Sequence, residues 1–154
     1  MLSRARSKLP EVDFRLGELT ALPLKDGEVT GAVCALALSH LPEIDAAIAE
    51  LARVLQPGGR LVISNPHPFA TAILGWRAVF VDPAGRRSMI PEYPHLHADY
   101  IAAFDHAGLT VRRCIEPPLS SEQARARSKK HRTEAFEAAL EGVPAVVVWE
   151  AERL

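Results

Sequence analysis

The chain is 154 residues long, one domain's worth, and a domain of that size buries roughly 68–70% of the surface its unfolded chain exposes. Hydrophobic residues make up 48% and charged residues 24%, with 18 Lys and Arg against 19 Asp and Glu for a net charge of −1, which excludes a disordered chain and any global basic field for nucleic acid or anionic lipid. No apolar run nears the ~20 residues of a membrane-spanning helix and Met1 to Arg6 has no secretion-signal core, so a soluble, cytoplasmic protein is expected. Cys34 and Cys114 stand far apart, neither a metal knuckle nor a disulfide framework, and both read as small buried hydrophobes.

Strand-like and helix-like segments alternate along one domain, residues 1–154, which points to α/β. A short basic helical stretch, Leu2 to Leu9, precedes Pro10. Val12-Asp13-Phe14-Arg15-Leu16 alternates with period 2 as a half-buried strand does, and Gly17 ends it. Lys25-Asp26-Gly27 marks a turn. From Val29 to Leu38 the chain is almost continuously apolar, which predicts a central strand covered on both faces. A helix is predicted from Pro42 to Leu55, because Ile44, Ala47, Ile48, Leu51, Val54 and Leu55 recur at 3.6-residue spacing; Gln56-Pro57-Gly58-Gly59 stops it. Arg60 to Ser64 is a second buried strand, which completes a right-handed βαβ unit.

Residues 65–97 are rich in Pro and Gly without periodicity and read as a lid or substrate loop, with a short helix around Ala70 to Trp76. A helix from Ala98 to Ala107 follows, with Tyr100, Ile101 and Phe104 inward and Gly108 as terminator. Leu109 to Ile115 is a strand. Ser121 to Glu141 is helical with a break near Arg132 and Thr133, and Ala145 to Ala151 is the last strand, closing a mixed sheet.

The run Phe14 to Gly27, the strand through Val33, Ala37-Leu38-Ser39-His40-Leu41, and above all Glu50-Leu51-Ala52-Arg53-Val54-Leu55-Gln56-Pro57-Gly58-Gly59-Arg60-Leu61-Val62-Ile63-Ser64 closely resemble class I S-adenosylmethionine-dependent methyltransferases of the type 11, small-molecule kind. The resemblance implies a Rossmann-like sheet of strand order 3-2-1-4-5-7-6, mostly parallel with an antiparallel C-terminal strand, and S-adenosylmethionine as cofactor. Its opening strand with a Gly-x-Gly loop, and a second strand ending in an acidic residue, have no counterpart here, so the sheet is expected to be incomplete with its first two strands missing. Gly58-Gly59 follows a helix and is not a cofactor cradle. An uncovered edge on the Val29 to Leu38 strand would be a template for association; the expectation is that the Val12 strand moves in beside it, another chain covers it, or the chain aggregates.

By the same resemblance Glu18 accepts from the adenine amino group and the Leu19 backbone reaches a ring nitrogen, although many relatives carry Asp where Glu18 stands. A turn carboxylate is the alternative reading. Ala35 and Leu36, with Ala37, fall where relatives contact the cofactor, or simply pack the core. His40 is a candidate base or donor toward substrate, or a structural hydrogen-bonder. His67, between two prolines at the carboxyl end of a strand, is the second catalytic candidate; the alternative is a polar residue satisfying a Pro-rich turn.

His95 and His97 with Glu92 or Asp99 lie outside metal-ligand spacings, so no metal is expected. Tyr93 and Trp76 line an acceptor pocket or anchor the loop. Arg125, Arg127, Lys129, Lys130, His131 and Arg132 read as a solvated helix face, and no Ser-His-Asp order has a supporting motif. The function expected is methyl transfer from S-adenosylmethionine to a small-molecule acceptor, impaired where cofactor contacts are missing. The alternative is a non-catalytic relative serving as a dimerisation or regulatory module through the exposed sheet edge.

Overall fold

The computed structural model describes residues 2–73, 75, 77–128 and 134–154. Trp76, Lys129, Lys130, His131 and Arg132, and the predicted break near Arg132 and Thr133, lie outside the described residues. Among the described residues no helix is long and apolar enough to cross a membrane.

Eleven named elements follow in order: α1 (Leu2–Lys8), β1 (Val29–Ala35), α2 (Asp45–Val54), β2 (Leu55–Pro66), β3 (Val79–Val81), β4 (Arg87–Met89), α3 (His97–His106), β5 (Leu109–Ile115), α4 (Ser121–Ser128), α5 (Glu134–Leu140) and β6 (Val146–Arg153). A 3₁₀ turn, Leu38–His40, follows β1, and a π-helical turn, Phe69–Ile73, follows β2. Four strands form one sheet in the order β1-β2-β6-β5. β1 runs parallel to β2, with Cys34 opposite Ile63; β6 is antiparallel to both β2 and β5. Three of the four strands therefore share one direction, and the order is the one that the resemblance implied for strands four to seven.

Alternation along β2 and β6 turns Leu61, Ile63 and Asn65, then Val147, Trp149 and Ala151, into the core. Two helices cover this face. α2 supplies Ala47, Ile48, Leu51 and Ala52, and α3 supplies Tyr100, Ala103 and Phe104, each set recurring at the spacing that places side chains on one helical stripe. Trp149 lies 5.7 Å from both the Tyr100 and the Phe104 rings, an aromatic cluster where sheet meets helix. A smaller cluster of Leu119, Ala124, Leu140 and Ala145 joins α4 to α5.

Several elements depart from the sequence reading. The apolar strand expected at the centre of the sheet, β1, is an edge strand, and Val33 is 75% exposed. Val12 to Leu16 forms no strand and joins no sheet, so it does not cover that edge. Gln56 to Gly59 is not a simple helix stop, because β2 begins at Leu55 and carries a bulge in which Leu55 to Arg60 stand opposite Val29 to Gly31. A Cβ on Gly59 would lie 2.8 Å from the Gln56 carbonyl oxygen, and so only glycine fits the bulge. The 65–97 segment contains a hairpin, β3 with β4, that periodicity did not signal. Cys34 is buried as expected, whereas Cys114 is exposed.

Phe104 is 1% exposed, and its replacement by alanine is expected to cost about 3–5 kcal/mol, the range for truncating a buried aromatic. Urea unfolding monitored by Trp fluorescence measures the loss.

Candidate active site

Strand direction decides where chemistry can collect. Because β1, β2 and β5 run the same way, Ala35, Pro66 and Ile115 end on one rim of the sheet, beside the start of β6, where Val146 pairs with Pro66 and Val148 with Ile115. Open α/β sheets bind ligands outside the carboxyl ends of their strands. Ala35 and Leu36 are exposed on this rim. Leu36 adopts φ 56, a left-handed conformation that a leucine reaches only under constraint. Its N–H donates to the Ser64 carbonyl at 2.7 Å, which holds the end of β1 against β2.

The loop carrying Glu18 and Leu19 is fastened from below by α2. Glu50 Oε1 accepts from the Leu22 N–H at 2.7 Å; Arg53 donates to Glu50, to Asp26 and to the Leu24 carbonyl. Leu19 and Leu22 pack against the main core, while the Glu18 side chain is exposed.

His40 sits in the 3₁₀ turn after β1. Its Nδ1–H donates to the Pro91 carbonyl at 2.9 Å, which leaves Nε2 bare. The Tyr93 N–H donates to the Ser39 carbonyl at 2.7 Å, and His95 donates from Nε2 to the Leu41 carbonyl at 2.8 Å. Residues 91–95 are thus strapped to the turn, and His95 is a structural link. Asn65, 1% exposed, locks the same region: its Oδ1 accepts from the Ser39 N–H at 3.3 Å and its Nδ2 donates to the Tyr100 hydroxyl at 2.9 Å. Burial pushes the Tyr100 hydroxyl up to about 12, so it stays protonated at neutral pH.

His67 lies just beyond β2 and is buried, 7% exposed. Its Nδ1 accepts the Phe69 N–H at 3.1 Å, and its Nε2 meets Glu116 Oε1 at 2.7 Å. A nitrogen that accepts a hydrogen bond is unprotonated, so the proton of neutral His67 is on Nε2 and is donated to the carboxylate. Both ring nitrogens are engaged. His97, the first residue of α3, brings its Nε2 to 2.8 Å from the same Glu116 oxygen. Its ring stands edge-on to Trp149 at 5.5 Å and 5.3 Å from the His67 ring. The His67 bond holds the Glu116 carboxyl below the usual carboxylate range, with His97 adding to the effect.

His67, His97 and Glu116 converge from three separate elements. The position of His67 between two prolines at a strand end singled it out, whereas His97 was considered only with Glu92 or Asp99; Glu116 carried no local signal. Two histidines and a carboxylate are a donor set that divalent metals take. A ligating histidine, however, donates its other ring N–H, whereas Nδ1 of His67 accepts one. The protonation that this imposes makes His67 a hydrogen-bond donor to Glu116 and not a metal ligand.

Asn65→Leu should leave the Tyr100 hydroxyl and the Ser39 N–H without partners, at about 1–3 kcal/mol for each buried group; chemical denaturation beside the wild type reads the loss. The Glu50 tether has its own pH window. Arg53 holds the Glu50 carboxyl down to about 2, against about 4.3 for an unperturbed Glu, so the stabilisation is full above the unperturbed value and disappears as pH falls from there toward the lowered one. Amide exchange at Leu22 should accelerate across that window, and Glu50→Gln should show the fast exchange already at neutral pH.

Residues 1–63 match the methyltransferase domain family. A demethylmenaquinone methyltransferase of Renibacterium salmoninarum is 36% identical over 69 residues, 44% of this chain and 29% of the relative. One of Deinococcus radiodurans is 25% identical over 142 residues, 91% of this chain and 56% of the relative. The chain thus spans 56% of the Deinococcus relative's length and less than a third of the Renibacterium relative's. Among solved structures, an S-adenosylmethionine-dependent methyltransferase from Mesorhizobium loti superposes with TM-score 0.71 at 21% identity over 99% of this chain and 76% of that one. A similar protein from Listeria monocytogenes gives TM-score 0.71 at 17% identity. Residues 1–63 thus carry the match to the methyltransferase domain family, and the chain as a whole has the fold of S-adenosylmethionine-dependent methyltransferases.

Proposed function

We propose that this chain serves methyl transfer from S-adenosylmethionine to an apolar small-molecule acceptor. The observation that carries the reading is the rim itself: parallel β1 and β2 bring exposed Ala35 and the constrained Leu36 to the side of the sheet where His40, His67, His97 and Glu116 also gather. Solved structures of this fold include a geranyl diphosphate methyltransferase in complex with the cofactor, and several curated relatives are demethylmenaquinone methyltransferases, which favours an acceptor with a large apolar part.

The donor set fits one end of the cofactor. Glu18 offers an exposed carboxylate, bonded to no described side chain, on a loop held rigid by Glu50 and Arg53, suited to accept from an adenine amino group. Leu19 offers its backbone beside it. Ala35 and Leu36 offer a small side chain and a displaced backbone for close approach. The sequence holds no Gly-x-Gly pair, so within this chain the contacts are confined to these positions. When bound, the cofactor supplies an electrophilic methyl group, and transfer then depends chiefly on holding the acceptor in line with it.

Isothermal calorimetry with S-adenosylmethionine and S-adenosylhomocysteine tests the reading. The expected result is micromolar binding that Glu18→Ala weakens about tenfold or more, the loss of one charge-assisted hydrogen bond; no heat at millimolar ligand overturns it. A second reading, a non-catalytic module that dimerises through β1, is favoured by the free edge of that strand and the exposure of Val33, and edges of this kind pair readily. A concentration-dependent dimer in sedimentation, abolished by Val33→Lys and formed without any cofactor binding, supports this second reading.

A further inference from the structure

We infer that His97, oriented by Glu116, is the general base that takes the acceptor's proton, and that the acceptor carries an acidic hydroxyl of the phenol or enol class; this rests on the methyl-transfer reading above. Glu116 Oε1 is an acceptor already bonded by the Nε2–H of His67. His97 Nε2 stands 2.8 Å from that same oxygen. Two bare acceptors at that separation repel, so Nε2 of His97 carries a proton as well. It is buried, and its N–H axis is not aligned on any acceptor, so the carboxylate holds it as a close charge contact.

Nδ1 of His97 is then the nitrogen that remains basic. It is hydrogen-bonded to no described residue and is not among the buried unpartnered atoms, and the side chain as a whole is 36% exposed. One imidazole nitrogen on a carboxylate and the other open to a reactant is the arrangement of a general base, because the carboxylate fixes the ring and favours the imidazolium that forms. His67 acts one step further back. With both its nitrogens occupied it touches no reactant; it pins the carboxylate and is a positioning residue.

The step balances. As the acceptor oxygen forms its bond to the methyl carbon, the carbon–sulfur bond breaks and its electron pair stays on sulfur, which loses its positive charge. The hydroxyl proton passes to Nδ1, and the positive charge ends on the imidazolium beside Glu116. An imidazole removes a proton in this way from a hydroxyl already acidified by an aromatic ring or a double bond, and not from an ordinary alcohol. The apolar side chains exposed within four residues of His67 or His97 in the chain, Phe69, Tyr93, Leu96 and Ile101, suit a ring-bearing acceptor.

The first test needs no cofactor. Two-dimensional ¹⁵N NMR of the histidine rings at neutral pH should show the Nε2–H form for His67 and His97, and Glu116→Gln should relax His97 to a mixture of tautomers. The second test uses turnover with a panel of phenols and aliphatic alcohols. His97→Ala is expected to lower kcat on phenols by about 10²–10⁴-fold, with acceptor KM and cofactor Kd within about threefold, and added imidazole should restore part of the loss. Alcohols should not turn over. Turnover in His97→Ala within threefold of wild type overturns the proposal, as does a bare Nε2 on His97. So does micromolar zinc binding that His97→Ala and Glu116→Gln both abolish, because it would make the cluster a metal site. Failure of cofactor binding in the wild type would overturn the methyl-transfer reading and the base's task with it, while the tautomer result still reads the dyad independently.

Discussion

Gly31 to Ala35 pair in parallel with Arg60 to Ser64, so both strands leave the sheet on the same side, and everything chemical in the molecule is placed by that fact. Parallel pairing requires a crossover, which α2 provides. The residues of α2 that pack the core, Ile48 and Leu51, alternate with the pair that binds the 18–28 loop, Glu50 and Arg53. One helix therefore closes the βαβ unit and also holds the segment that carries Glu18. Had the two strands run antiparallel, Leu36 and His67 would lie at opposite ends of the sheet.

The same arrangement leaves a cost at β1. Its apolar side chains suit a strand with neighbours on both sides, yet among the described residues only β2 pairs with it. Val33 and Leu36 stand in water as a result, and Leu9, Val12 and Leu16 in the preceding segment are exposed too. A sheet edge of this composition gains by being covered. Opposite this edge β6 is paired on both sides, and at the outer edge β5 carries Arg112 and Arg113 against Glu150 and Glu152, charges that keep that edge solvated.

Much of the fold was legible because its signals are local. The stripe in α2, the terminator Gly108 after α3 and the alternation from Leu109 to Ile115 each lie within a few residues, and those elements were placed within three positions or better. The βαβ unit followed from their order. What was not legible depended on neighbours. Period-2 alternation in Val12 to Leu16 shows that a strand is feasible there, but a strand exists only with a partner to bond. The continuous apolarity of β1 describes the burial its side chains suit, and the sheet order decides the burial they have. In the site, His40 and His67 were visible because each follows a strand closely. Glu116 and the role of His97 were not, because residues 67, 97 and 116 meet only once α3 has packed antiparallel to β5 and brought its first turn to the rim.

Two rim histidines each keep one nitrogen hydrogen-bonded to no described residue, Nε2 of His40 and Nδ1 of His97, and their second partners separate them. The other nitrogen of His40 donates to a neutral carbonyl, that of Pro91, whereas the other nitrogen of His97 faces the Glu116 carboxylate. A carbonyl fixes a tautomer and does little more. A carboxylate also lowers the free energy of the imidazolium formed when a proton arrives. Under the proposed methyl transfer, His40 would orient an acceptor by accepting a hydrogen bond and His97 would keep the proton. Asn65 links the turn bearing His40 to Tyr100 in α3, and so ties the segment of one histidine to the helix that begins with the other.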